Sequence, residues 1–99
     1  LARSTHGHID AVSDDEIRHG IKLLAETTGI FTETAGGVTT ATLAKLAERG
    51  DLTPGERIVL VITGEGLKTL DATRDRFQMD VIDPDLASFE STVDQEVLA

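Results

Sequence analysis

Five consecutive apolar residues, Ile58-Val59-Leu60-Val61-Ile62, constrain this chain more than any other feature. Most are β-branched, and the run is opened by Pro54-Gly55 and closed by Gly64. A short unbroken apolar run between turn residues reads as a strand covered on both faces. Such strands belong to parallel sheets, and those sheets seat ligands beyond the carboxyl ends of their strands. At that end stands Thr63-Gly64-Glu65-Gly66. It offers a hydroxyl on the last strand residue, then two glycines that let a ligand come close. Thr63 is therefore the first site candidate, and the expected fold class is α/β.

Composition narrows the partners. Ninety-nine residues suffice for one small domain with a modest core, and with no Trp, no Tyr and three Phe that core must come from Val, Ile, Leu and Ala. A formal charge of -9 argues against nucleic acid or an anionic membrane, since both need a basic footprint. The absence of Cys excludes disulfides and thiol chemistry, removes the usual structural zinc ligands and is compatible with the cytoplasm, the expected location. No apolar stretch is long enough to span a bilayer, and the N-terminus lacks signal-peptide architecture. The chain opens on Leu1 rather than Met, as a processed or truncated product would.

Read in order, the chain gives four helical segments and one buried strand. Ile9, Ala11 and Val12 suggest a short extended segment. His6 and His8 stand two apart, but with no third ligand nearby they read as loop histidines, and no metal is expected. Ser13-Asp14-Asp15-Glu16 is a capping box whose acids also suit the helix dipole. Ile17, Ile21, Leu24 and Ala25 form one apolar stripe behind it, and Gly29 is the natural stop. Ile30 and Phe31 suggest a brief strand, and Glu33 follows with no basic residue near it in sequence.

A largely buried helix is expected over about residues 37–49, entered through Ala35-Gly36-Gly37. Those small residues would allow close packing or ligand approach, although a tight turn explains them as well. Gly50 caps this helix, and residues 51–55 turn into the apolar run. Residues 67–77 carry a partial helical stripe of Leu67, Leu70, Ala72 and Phe77. Asp83-Pro84 reads as the start of a C-terminal amphipathic helix with Asp as N-cap and Leu86, Phe89, Val93 and Val97 along one face. No repeat or linker divides the chain, so residues 1–99 form one unit.

Several of these stretches together resemble the C-terminal quarter of the threonine synthases, pyridoxal phosphate enzymes of the tryptophan-synthase-like fold type II class. The matching pieces are residues 11–17, AVSDDEI; residues 26–33, ETTGIFTE; residues 35–39, AGGVT; and residues 61–68, VITGEGLK. The ending through Ile82-Asp83-Pro84-Asp85-Leu86 and Phe89 is also similar to long-tailed bacterial members. The most specific piece is Thr-Gly-x-Gly-Leu-Lys.

The resemblance implies a three-layer αβα parallel-sheet domain, of which this chain is the C-terminal fragment. It implies that the hydroxyl of Thr63 bonds the pyridine nitrogen of pyridoxal 5′-phosphate, with Gly64 and Gly66 keeping the approach open. A neutral hydroxyl cannot hold that nitrogen protonated as a carboxylate would. Glu33 corresponds to the Glu of a Glu-Pro-Ala-Ser/Gly motif, with Thr34 in place of Pro, and it would stand behind the cofactor with Ala35, Gly36 and Gly37.

The family's Schiff-base lysine and glycine-rich phosphate loop are absent from this chain, so no catalytic residue is expected in it. Lys22 and Lys45 lie on expected helices, and Lys68 reads as a surface lysine. The fragment alone is expected to be inactive and to bind no cofactor. Its partners would be the N-terminal remainder of the enzyme and a small amino-acid substrate, O-phospho-L-homoserine, converted with water to L-threonine and phosphate. A single buried strand cannot make a sheet, so the free chain is expected to dimerise, swap elements or join the rest of its enzyme as a homo-oligomer. The alternatives are a segment of a threonine dehydratase or serine racemase-like enzyme, and a non-catalytic interaction domain that kept the fold.

Overall fold

The capping box expected at Ser13 starts the first helix, α1 (Asp14–Thr28), in the computed structural model, which describes residues 2–5, 7–76 and 80–93. The Ser13 amide donates to Glu16 Oε2 at 2.6 Å, and the Glu16 amide donates back to Ser13 Oγ at 3.3 Å. Two of the otherwise orphaned N-terminal amides are thus satisfied locally. At the other end Gly29 adopts φ 74°, and its amide bonds the Ala25 carbonyl. The stripe faces inward as expected: Ile21 is fully buried, and Leu24 nearly so.

The second helix, α2 (Thr34–Glu48), starts three residues earlier than its sequence pattern suggests. Ala35-Gly36-Gly37 is therefore the first helical turn and not a loop before it. Only the face bearing Gly36, Gly37, Thr40 and Ala41 is buried, while Val38, Leu43 and Leu46 are half-exposed. Glu48 is followed by a left-handed Gly50 at φ 73°. The Gly50 amide reaches Ala47 O at 3.1 Å and the Asp51 amide reaches Leu46 O at 3.0 Å, the paired bonds of a Schellman ending.

The two helices pack backbone against backbone. A Cβ on Gly20 would lie 2.5 Å from the Gly37 carbonyl oxygen, and one on Gly37 would lie 2.7 Å from the Ile17 oxygen. The order of contacts runs the helices antiparallel: Gly37 meets Ile17 and Gly20, Lys45 meets Glu16, and Arg49 meets Asp10. Ile21, Leu24 and Ala41 form the core between them.

The apolar run is where structure and sequence part. Residues 56–63 adopt no regular secondary structure and are entered through a turn with Gly55 at φ 82°. Among the described residues no strand forms, and the only bridge outside helices is a single antiparallel pair, Thr32 with Glu65. The expected three-layer parallel sheet is therefore not seen among the described residues. Val59 is 77% and Val61 61% exposed, against the expectation of a strand covered on both faces. The reason is physical: a strand is completed by a neighbouring backbone, and the described residues supply no second strand to lie beside it. The brief strand expected at Ile30-Phe31 reduces to the same one-residue bridge, and residues 9–12 form no regular element.

Beyond the bridge, residues 66–72 form a 3₁₀ helix with a kink at Thr69, and Arg74–Arg76 a second short one, in place of a continuous helix. The last helix, α3 (Leu86–Thr92), is capped by Asp85 and not by Asp83. Asp85 Oδ1 accepts from the Ser88 amide at 2.8 Å, while the Asp83 amide is turned to Ser88 Oγ. No residue of α3 is buried, so its Leu86 and Phe89 have nothing to lie on. Leu1, His6, Phe77 and Val97, named above, lie outside the described residues. The whole measures 61 × 29 × 19 Å with a radius of gyration of 17.7 Å. A compact domain of this length would have about 13 Å.

Candidate functional site

The bridge joins the two stretches that the sequence singles out, thirty-two residues apart along the chain. The Glu33 amide donates to the Gly64 carbonyl at 3.2 Å, and the Gly66 amide donates to the Phe31 carbonyl at 3.1 Å. Thr32, 1% exposed, adds its hydroxyl to the Gly64 carbonyl at 3.0 Å. One turn further on, the Thr34 amide donates to Thr69 Oγ1 at 3.2 Å. Thr69 thereby caps α2 from a distant segment, because the N-cap residue Glu33 makes no capping bond with its own side chain. This explains why α2 begins before its sequence pattern does.

Glu33 instead turns its carboxylate over Gly64, where a Cβ would collide with it. Lys68 Nζ stands 4.0 Å from Glu33 Oε2, so the glutamate that has no basic neighbour in sequence gains one in space. Lys68 remains largely exposed, as expected of a surface lysine. A Cβ on Gly66 would strike the Phe31 ring, and one on Gly36 would strike the Thr32 side chain. The bare α-carbons expected to make room for a ligand are, in this chain, filled by Glu33, Phe31 and Thr32. Gly37 is used against α1, and Ala35 is exposed.

Thr63 itself is exposed at the end of the apolar run, one residue before Gly64, whose carbonyl accepts two hydrogen bonds. It lies on no helix, and its hydroxyl makes no hydrogen bond among the described residues. Thr63, Gly64, Gly66, Glu33 and Gly36 are thus brought together, while Gly37 and Ala35 face elsewhere. Sequence reasoning missed Thr32, Thr69 and Phe31. No local pattern marks them, since each acts across more than thirty residues.

The other charged groups serve the helix pair. Lys45 Nζ lies 2.9 Å from Glu16 Oε1, and this bond, with the Ser13 amide, pulls the Glu16 carboxyl down to about 2. Asp10 is lowered by the Ala11 amide and by Arg49, whose NH2 is 2.8 Å away; the pairing raises Arg49 in return. A cleft of about 320 Å³ beside this pair is lined by His19, Ala44 and Glu48 among others. No cluster suited to a metal ion occurs among the described residues, and no described helix is long and apolar enough to cross a membrane.

The family model for pyridoxal-phosphate dependent enzymes matches residues 1–64, up to the glycine beneath Glu33. A threonine synthase of Bacillus sp. (strain ULM1) is 42% identical over 80 residues, 81% of this chain and 23% of that protein. A threonine synthase of Methanocaldococcus jannaschii is 48% identical over 69 residues, 70% of this chain and 17% of that protein. A cysteate synthase of Methanoregula boonei is 38% identical over 68 residues, 69% of this chain and 16% of that protein. The chain thus spans less than a quarter of the length of these curated relatives. The family match across residues 1–64, which takes in α1, α2 and Thr63, makes this chain a member of the pyridoxal-phosphate dependent enzyme family.

Proposed function

We propose that this chain is the C-terminal part of a threonine synthase and presents the Thr63 hydroxyl to the nitrogen edge of the cofactor ring. The observation that carries this reading is the free, exposed hydroxyl of Thr63 on a turn clamped to the start of α2. The donor chemistry fits pyridoxal phosphate: a neutral hydroxyl can donate to an unprotonated ring nitrogen. When bound, the cofactor supplies an electron-withdrawing ring for carbanion chemistry. Thr63 orients that ring, Gly64 and Gly66 offer backbone beside it, and Glu33 with Gly36 holds the turn from behind; Ala35 and Gly37 complete the start of α2.

In this reading the complete enzyme converts O-phospho-L-homoserine and water into L-threonine and phosphate. The Schiff-base lysine and the groups that bind phosphate come from the remainder of the enzyme. That remainder also supplies the strands beside residues 57–63, completing an α/β three-layer sheet, and it covers Val59 and Val61. The assembled enzyme is a cytoplasmic homo-oligomer, and the chain alone is inactive. The Methanoregula relative supports a second reading, in which the same ring contact serves cysteate formation.

The test is a chimera in which these residues replace the matching stretch of the Bacillus threonine synthase. Phosphate release from O-phospho-L-homoserine is expected, and Thr63→Val should alter the absorbance of the bound cofactor. A soluble, cofactor-loaded chimera that releases no phosphate but forms cysteate would favour the second reading. One whose cofactor absorbance ignores Thr63→Val would overturn the ring contact.

A further inference from the structure

Threonines in this chain normally bond their own neighbourhood. Thr27, Thr28, Thr39 and Thr40 all donate to carbonyls three or four residues back, as helical threonines do. Thr32 is different. It is 1% exposed, and its hydroxyl donates across thirty-two residues to the Gly64 carbonyl. Its side chain lies in space that Gly36 leaves free, because a Cβ there would come within 2.7 Å of both Thr32 Cβ and Cγ2.

The Gly64 carbonyl consequently accepts from two donors, the Glu33 amide at 3.2 Å and the Thr32 hydroxyl at 3.0 Å. The two roles differ. A single backbone bond lets a peptide plane pivot about the bond axis, and glycine at 64 imposes little preference of its own. A second donor, arriving from a buried side chain with a fixed rotamer, removes that pivot and saturates both lone pairs of the oxygen. That carbonyl belongs to the peptide joining Gly64 to Glu65, and Thr63 is joined to the held peptide through the Gly64 α-carbon.

We infer that Thr32 is the positioning residue of the Thr63 turn: by holding the Gly64 carbonyl, its buried hydroxyl sets the direction in which Thr63 is presented. The significance of that direction rests on the proposed cofactor contact, whereas the clamp itself does not. Thr32, Gly36 and Gly64 act as one unit, so the glycine at 36 serves to admit Thr32 beneath the turn.

Two variants separate hydroxyl from shape. Thr32→Val keeps the volume and loses the donor, while Thr32→Ser keeps the donor and loses a methyl group. In the 99-residue chain, amide hydrogen exchange is read at Gly66 and Glu33, with Ile21 and Leu24 of α1 as internal references. Thr32→Val should speed exchange at Gly66 by roughly five- to tenfold, the loss of one net hydrogen bond, and leave the α1 amides unchanged. Thr32→Ser should stay within about twofold of the parent. Exchange unaffected by Thr32→Val, or affected equally by both variants, overturns the positioning role.

In the cofactor-loaded chimera, Thr32→Val should shift the pH profile of cofactor absorbance in the direction of Thr63→Val and add nothing on top of it. Independent, additive shifts would also overturn the inference. Should Thr63→Val leave the absorbance unchanged, the cofactor contact fails, and the exchange measurement still decides the role of Thr32.

Discussion

The Glu33 carboxylate occupies the space that a side chain on Gly64 would need. The obstructing atoms are the far end of a flexible side chain, so an added methyl group displaces Glu33 and not the backbone. Gly64→Ala is therefore expected to lower stability by less than about 1.5 kcal/mol, toward the mild end of overpacking costs. It should also separate Glu33 from Lys68. Glu33→Ala should suppress most of that cost, because it removes the collision. Urea unfolding of both single variants and the double variant measures the coupling.

Gly37→Ala tests the opposite situation. In an exposed helix interior, alanine in place of glycine would stabilise by about 1 kcal/mol. Here the new methyl group would meet the Ile17 carbonyl oxygen at 2.7 Å and the buried Ile21 side chain. Backbone cannot swing aside, so α1 and α2 must separate. A net loss of about 1–3 kcal/mol is expected, with Gly20→Ala behaving alike against the Gly37 carbonyl. An increase in the urea midpoint for either variant would show that the helices are not in backbone contact.

Acid should loosen the helix pair through Glu16. Its carboxyl is held at about 2, below the ordinary value of 4.5, chiefly by Lys45 and then by Ser13. A depressed folded-state value means the contribution is complete above the unfolded value and is lost as pH falls toward the folded one. The decline in stability should therefore fall between about pH 4.5 and about pH 2. Lys45→Gln should flatten it, because the largest cause of the depression is gone. Thermal melts across that range, for the parent and the variant, check this.

Ser13→Ala removes one half of the capping box. About 1 kcal/mol of stability should be lost, with Ser13→Asp recovering most of it. Loss of helical circular dichroism signal on heating gives the comparison.

The exposed run at residues 58–62 should make the isolated chain associate. Val59 and Val61 are exposed β-branched residues with no neighbouring strand among the described residues, and such unpaired backbone can pair with other chains. Val59→Lys with Val61→Lys should reduce concentration-dependent association in sedimentation velocity without disturbing α1 and α2.

Much of the helical structure was legible in the sequence. Ser13-x-x-Glu16, Gly29 and Gly50 each satisfy backbone groups within a few residues, so short-range pattern and conformational freedom suffice to place them. The first residue of α2 was not legible, because its amide is capped by Thr69 from beyond the apolar run. Nor was the start of α3, where Asp83 and Asp85 compete for the same neighbourhood and geometry selects Asp85.

What the sequence determined by itself was the content of the site: a hydroxyl, two glycines and a glutamate in fixed order. Tertiary structure decided how they meet. It laid Glu33 over Gly64, seated Phe31 against Gly66, and drove the Thr32 hydroxyl into the carbonyl beside Thr63. The apolar run shows the same division from the other side. β-Branched residues dispose a backbone to extend, but a strand exists only where another backbone lies alongside to take its hydrogen bonds.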